Sequence, residues 1–243
     1  MPGRKNNPAL TLYQAALTAV DWVFPPQCGG CGLGGNRWCE QCNGAIEKIT
    51  KPFCESCGLP GISNNLCGRC TSQQPAFDAA RSLGIYQSSL RNAVIKLKYK
   101  RDFGLGETLA DQLLKLISSW DWSVQAVVPI PLGRERERER GYNQAALFAR
   151  PIALGLGVPF REKIVSRSRD TLKQVGLTET ERQRNVLGAF EIGERLLNKE
   201  NLLLVDDVMT TGATLNSCAG VLKQAGAGKV YAITLARALD MRY

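Results

Sequence analysis

The stretch "LLLVDDVMTTGAT" (residues 202–214) runs from four apolar residues into two adjacent carboxylates and then into threonines and a glycine. The apolar run has the length of a buried strand, and the segment that follows repeats Leu215, Cys218, Ala219 and Leu222 at helical spacing. Gly226 and Gly228 then end that helix. A strand end, a loop and a helix start therefore follow one another. In open α/β sheets ligands sit beyond the carboxyl ends of the strands, and a helix amino terminus offers unpaired N–H groups to phosphate. Gly212 lets the backbone approach a ligand closely, and the hydroxyls of Thr210, Thr211 and Thr214 can donate to phosphate oxygens. The loop reads as an anion cradle, without the spacing and lysine of an ATP-hydrolysing P-loop. Asp206 and Asp207 would repel a phosphate, but carboxylates accept hydrogen bonds from sugar hydroxyls and can sit near Mg2+. A ribose between phosphates meets both demands.

This stretch resembles the phosphoribosyl pyrophosphate (PRPP) motif of type I phosphoribosyltransferases. The resemblance implies that Asp206 and Asp207 take the ribose hydroxyls and Mg2+, and that Thr210, Thr211, Gly212, Ala213 and Thr214 take the 5′-phosphate. Around it, "AVVPI" (126–130), a helix from about Tyr142, "LLLV" (202–205) and "VYAITLA" (230–236) alternate in the manner of a parallel sheet with helical crossovers. The segment "VVPIPLGRERERERGYNQ" (127–144) reads as a strand followed by an arginine-rich loop, where that fold binds pyrophosphate. Guanidinium groups present planar, bidentate donors to such a ligand. Arg134 and Arg140 are the expected pyrophosphate ligands, while Arg136 and Arg138 read as a solvated helical face with internal ion pairs.

Eight of the nine cysteines fall in four Cys-x-x-Cys pairs: Cys28/Cys31, Cys39/Cys42, Cys54/Cys57 and Cys67/Cys70. Two such knuckles complete a tetrahedral shell of four sulfurs, so eight ligands imply two structural zinc ions. Consecutive pairing closes the smallest loops, giving Cys28, Cys31, Cys39 and Cys42 one ion and Cys54, Cys57, Cys67 and Cys70 the other; a crossed arrangement stays open. Disulfides would call for a secretory signal, which the sequence does not indicate. The polar "TSQQPAF" after Cys70 marks a boundary, with a zinc-binding module over 1–74 and an α/β domain over 75–243. A module so short has little core, and metal binding stands in for it.

The 243-residue chain carries 31 Lys and Arg against 22 Asp and Glu, a net charge of +9 that favours anionic partners. It has no histidine, so metal sites must use cysteine or carboxylate and no imidazole can act as general base. No apolar run is long enough to span a membrane. Residues 10–24 read as a short amphipathic helix. Arg91, Lys96, Lys98, Lys100 and Arg101, with Tyr99 among them, form a basic stretch with two readings. It either tracks single-stranded DNA, with the ring stacking on a base, or is a helix that packs Val94, Ile95 and Leu97 inward and solvates its lysines.

Over nearly its whole length the sequence resembles the ComF family of competence proteins, through "FPPQC" and the paired cysteines, "IKLKYKRDFGLGETLA" (95–110), the "RGYNQ" segment, "QVGLTETERQRNVLGAF" (174–190) and the motif at 202–214. The resemblance implies a type I phosphoribosyltransferase-like parallel sheet with flanking helices, preceded by a small zinc-binding module with four cysteines to each ion. It also implies a cytoplasmic protein, reaching the inner membrane only through partners, that handles imported single-stranded DNA alongside other DNA-uptake proteins. The alternative is an active phosphoribosyltransferase in base salvage with an unknown acceptor. Thr210 stands where hypoxanthine-guanine enzymes carry an aspartate, which disfavours purine salvage. Residues 167–184, with Arg167, Arg169, Lys173, Arg182 and Arg184, resemble the mobile loop that closes over this fold's active site.

Overall fold

The computed structural model describes residues 25–100, 102–168, 188–193 and 199–239. The expected helix at 10–24, most of the expected closing loop at 167–184, and Arg101 lie outside these residues.

Four strands, β1 (Ala79–Ile85), β2 (Ala126–Pro129), β5 (Leu202–Met209) and β6 (Val230–Arg237), form an all-parallel sheet in the order β1-β6-β5-β2. β3 (Val165–Arg167) and β4 (Phe190–Ile192) make a separate antiparallel pair. The helices are α1 (Glu40–Gly44), α2 (Gly68–Ser72), α3 (Ser88–Tyr99), α4 (Phe103–Ile117), α5 (Arg134–Arg140), α6 (Gln144–Leu156) and α7 (Ala213–Gln224).

Parallel sheets are covered on both faces, and the strand alternation divides the core accordingly. Leu203, Val205, Tyr231 and Ile233 face a core built from α3, α4 and α6. Leu202, Leu204, Val230 and Ala232 face another, built from α7 and the β3–β4 pair. The ninth cysteine, Cys218, is buried in α7 within this second core, as its helical spacing with Leu215 and Leu222 predicts.

Each core also takes in one cysteine cluster. Cys28 and Cys42 join the first, and Cys54, Cys57, Cys67 and Cys70 join the second. Residues 25–74 thus straddle the β1 edge. There the Ala80 amide donates to the Ser56 carbonyl at 2.7 Å and the Ile85 amide to the Glu47 carbonyl at 2.9 Å. These bonds satisfy an edge that would otherwise stand open to other chains.

Of the two readings of the Arg/Glu run, loop and helical face, the structure takes the helical one, as the seven-residue α5 closed by Gly141 in the left-handed conformation at φ 71°. Arg and Glu alternate along it, so neither end gathers one sign of charge. In α3, Leu90, Val94 and Leu97 are fully packed while Ile95 is 37% exposed, because Leu90, Ala93, Val94 and Leu97 already form the buried stripe.

Candidate ligand-binding cleft and cysteine clusters

Beyond the carboxyl end of β5 the chain turns at Gly212, with φ at 81°, and enters α7 at Ala213. A Cβ at Gly212 would lie 2.6 Å from Met209 Cε, so both conformation and space require glycine there. Asp206, Asp207 and residues 210–214 line one open cleft of about 680 Å³. Lys98 and Tyr99 from the end of α3, Arg136 and Arg140 from α5, Gln144 and Arg167 line it too. Arg140 thus lines the cleft. Arg134 is exposed and is not among the lining residues; Arg136 and Arg140, one helical turn apart, share the inward face. Arg136, read from the sequence as solvated, belongs to the cleft instead.

Every residue of "RGYNQ" has an identifiable task. Arg140 donates to Gln144 Oε1 at 2.7 Å, and its guanidinium lies 5.5 Å from the Tyr99 ring centroid. Gly141 supplies the left-handed turn, and the Tyr142 hydroxyl donates to the Leu97 carbonyl, fastening the end of α3. Asn143 caps α6 by accepting from the Ala145 amide, while its Nδ2 donates to the Ile130 carbonyl at 3.0 Å. Gln144, buried, then donates from Nε2 to Asp207 Oδ2 at 3.0 Å. Lys98 Nζ lies 3.3 Å from the same oxygen.

Asp207 is thus buried, with Oδ2 taken by Gln144 and Lys98, while Asp206 is partly open to the cleft. Burial and the neighbouring Asp207 charge push the Asp206 carboxyl up to about 7, against the opposing pull of the Asp207 amide, Lys98 and Arg167. A cation or a hydroxyl donor bound there would restore its ionised form.

Lys98 was hidden from sequence reading because it sits among four other basic residues in "RNAVIKLKYKR". The helix phase separates them. Lys98 turns to Asp207, whereas Lys96 pairs with Asp102 at 3.4 Å and donates to the Gln27 carbonyl. Two of the lysines expected along a DNA strand are already paired; Lys100 and Tyr99 are exposed.

The eight paired cysteines gather as two groups, Cys28, Cys31, Cys39, Cys42 and Cys54, Cys57, Cys67, Cys70, the sulfurs of each within 4.8 Å of one another. That is the consecutive arrangement. The Cys28–Cys39, Cys31–Cys39 and Cys57–Cys67 sulfurs are 3.6, 3.8 and 3.7 Å apart. Those separations are far longer than a disulfide, and a tetrahedral ion with bonds of about 2.3 Å places its sulfurs about 3.8 Å apart, so both clusters fit zinc. Burial alone would raise the Cys28 thiol, yet the amides of Cys31, Cys39 and Gly30 bring it down to about 6. In the other cluster the amides of Cys57 and Cys67 likewise overcome burial and hold Cys54 at about 7. Cys42 and Cys70 are pushed well up by burial and by their neighbouring thiols.

Residues 19–71 match the double zinc ribbon domain and residues 143–242 the phosphoribosyl transferase domain. The chain is 31% identical to competence protein F of Haemophilus influenzae, over 86% of this chain and 94% of that one. It is 32% identical to DNA utilization protein YhgH of Salmonella typhimurium, over 89% of this chain and 99% of that one. A crystal structure of adenine phosphoribosyltransferase from Saccharomyces cerevisiae is similar at 22% identity and a TM-score of 0.38, over 58% of this chain and 72% of that one. A parallel sheet carrying an acidic pair and a phosphate-type loop, joined to two four-cysteine clusters and matched over most of its length by such relatives, places this chain in the ComF family.

Proposed function

We propose that the cleft binds PRPP together with Mg2+, and that the chain acts through this ligand in DNA uptake. The observation that carries the reading is one cavity shared by the Asp206–Asp207 pair, the 210–214 loop and four cations, Lys98, Arg136, Arg140 and Arg167. In this reading the hydroxyls of Thr210, Thr211 and Thr214 and the loop amides of 211–214 hold the 5′-phosphate. Asp206 and Asp207 take the ribose hydroxyls and the magnesium ion, which supplies charge neutralisation to the diphosphate. Arg136 and Arg140 face the pyrophosphate, with Lys98 beside them; Arg134, lying off the cleft, contributes at most through the long-range field. Residues 75–243 form the ligand-binding unit. Residues 1–74 form its zinc module, with one ion in each cysteine cluster.

The link to DNA rests on the relatives, one called a competence protein and the other a DNA utilization protein. No helix among the described residues is long and apolar enough to cross a membrane. A cytoplasmic protein that meets single-stranded DNA and the uptake machinery at the inner membrane accords with that. Calorimetric titration of the zinc-loaded chain with PRPP and Mg2+ tests the ligand. Pyrophosphate release across a panel of bases and amines then separates a phosphoribosyltransferase from a PRPP-binding module; release with none of them favours the latter.

A further inference from the structure

The two cysteine clusters are not equivalent in what they touch. The first packs against helices: Ser89 Oγ donates to the Cys42 carbonyl at 3.0 Å and Asn92 Nδ2 to the Gly30 carbonyl at 2.8 Å, both from α3. The second reaches the phosphate loop from behind, by two routes. Arg69 lies within the Cys67–Cys70 knuckle, and its Nη1 donates to the Thr211 carbonyl at 2.9 Å. Arg237 ends β6 beside Met209 and is 2% exposed. Its Nη1 donates to the Cys57 carbonyl and lies 3.2 Å from Met209 Sδ, while Nη2 lies 3.7 Å from Cys57 Sγ. Met209 in turn is the residue whose methyl fills the space beneath Gly212. Phe77 sits there too, buried in the core that holds all four sulfurs.

We propose that the second cluster, Cys54, Cys57, Cys67 and Cys70, is a positioning element of the phosphate loop, acting through Arg69 on Thr211 and through Arg237 on Met209, and that the first cluster has no such role. The loop runs between β5 and α7 and carries a bond of its own, from the Ala213 amide to Thr211 Oγ1 at 3.3 Å. The Arg69 bond to Thr211 fixes the peptide that precedes Gly212. A buried guanidinium that donates to a cysteine carbonyl and to Met209 Sδ fixes the strand end from below. Loss of metal from the second cluster removes both supports, while loss from the first leaves them intact.

The proposal rests on the PRPP reading only for its binding arm, so two readouts are needed: hydrogen exchange of the 206–216 amides in the zinc-loaded chain, and calorimetric titration with PRPP and Mg2+. Arg69→Ala, an exposed change, should speed loop exchange and weaken PRPP about three- to tenfold, with zinc content unaltered. Arg69→Lys, which keeps a donor, should recover part of both. Cys70→Ser should loosen the same amides, whereas Cys31→Ser and Asn92→Ala, at the first cluster, should leave them as in the parent. Loop exchange unchanged in Arg69→Ala, or equally fast in Asn92→Ala, would overturn the proposal. Faster loop exchange in Arg69→Ala without PRPP binding by the parent would support it while rejecting the ligand.

Discussion

Asp206→Asn should make the ligand-free protein more stable while it abolishes the site's purpose. Folding carries this carboxyl from an ordinary 3.8 to about 7, mainly by burial and then by the charge of Asp207. The folded state therefore binds the proton more tightly than the unfolded chain. The group costs nothing below about pH 4, and its penalty grows as pH rises to about 7 and then levels. About three pH units at roughly 1.4 kcal/mol each bound that penalty at about 4 kcal/mol. Asp206 is partly open to cleft water, which lowers the expected gain to about 1–3 kcal/mol at pH 8, and to about half of that at pH 5.5. Asparagine keeps an oxygen for the Asp207 amide, which now donates to Asp206 Oδ1 at 2.8 Å, so the turn should persist. Urea melts of parent and variant at both pH values, in magnesium-free buffer and with zinc retained, provide the assay. A variant less stable than the parent at pH 8, or a gain that shrinks between pH 5.5 and 8, would refute the electrostatic reasoning.

Other consequences follow from the same geometry. Gly212→Ala should cost about 1–3 kcal/mol in urea melts and weaken PRPP, because the methyl meets Met209 Cε and the residue must hold φ at 81°. Metal analysis should find two zinc ions per chain, and strong chelators should unfold the protein at neutral pH, since the sulfurs form part of both cores. Lys98→Met leaves Asp207 with Gln144 alone, and should lower PRPP affinity about tenfold or more while raising the magnesium needed for binding. If the end of α3 follows single-stranded DNA, exchanging exposed Arg91 and Lys100 for glutamine should reduce the salt slope by about 0.7 per lost contact, without changing PRPP affinity.

Sequence reading served where chemistry is local in the chain. The knuckles at Cys28–Cys42 and Cys54–Cys70 and the run from Asp206 to Thr214 each hold their partners within a few residues, so spacing alone assembled them. The rest depended on helix phase and on contacts between distant segments. Arg134 and Arg136 differ by two positions in an unbroken Arg/Glu alternation, and only the setting of α5 decides which faces the cleft. Lys98 meets Asp207 across 109 positions, so no local pattern marks it off from Lys96. That the two cysteine clusters lie in opposite cores follows from the β1 edge between them, a feature of the assembled sheet.

If one cleft takes PRPP through an acidic pair and a phosphate loop, binding must depend on both carboxylates. Calorimetric titration of the zinc-loaded chain with PRPP, with and without Mg2+, in parent and in Asp206→Asn/Asp207→Asn, tests it most directly. The parent should bind saturably, one-to-one and only with magnesium, and a double variant that still melts cooperatively should lose about tenfold or more in affinity. Equal affinity in the two proteins, or no binding by the parent at millimolar PRPP, would contradict it.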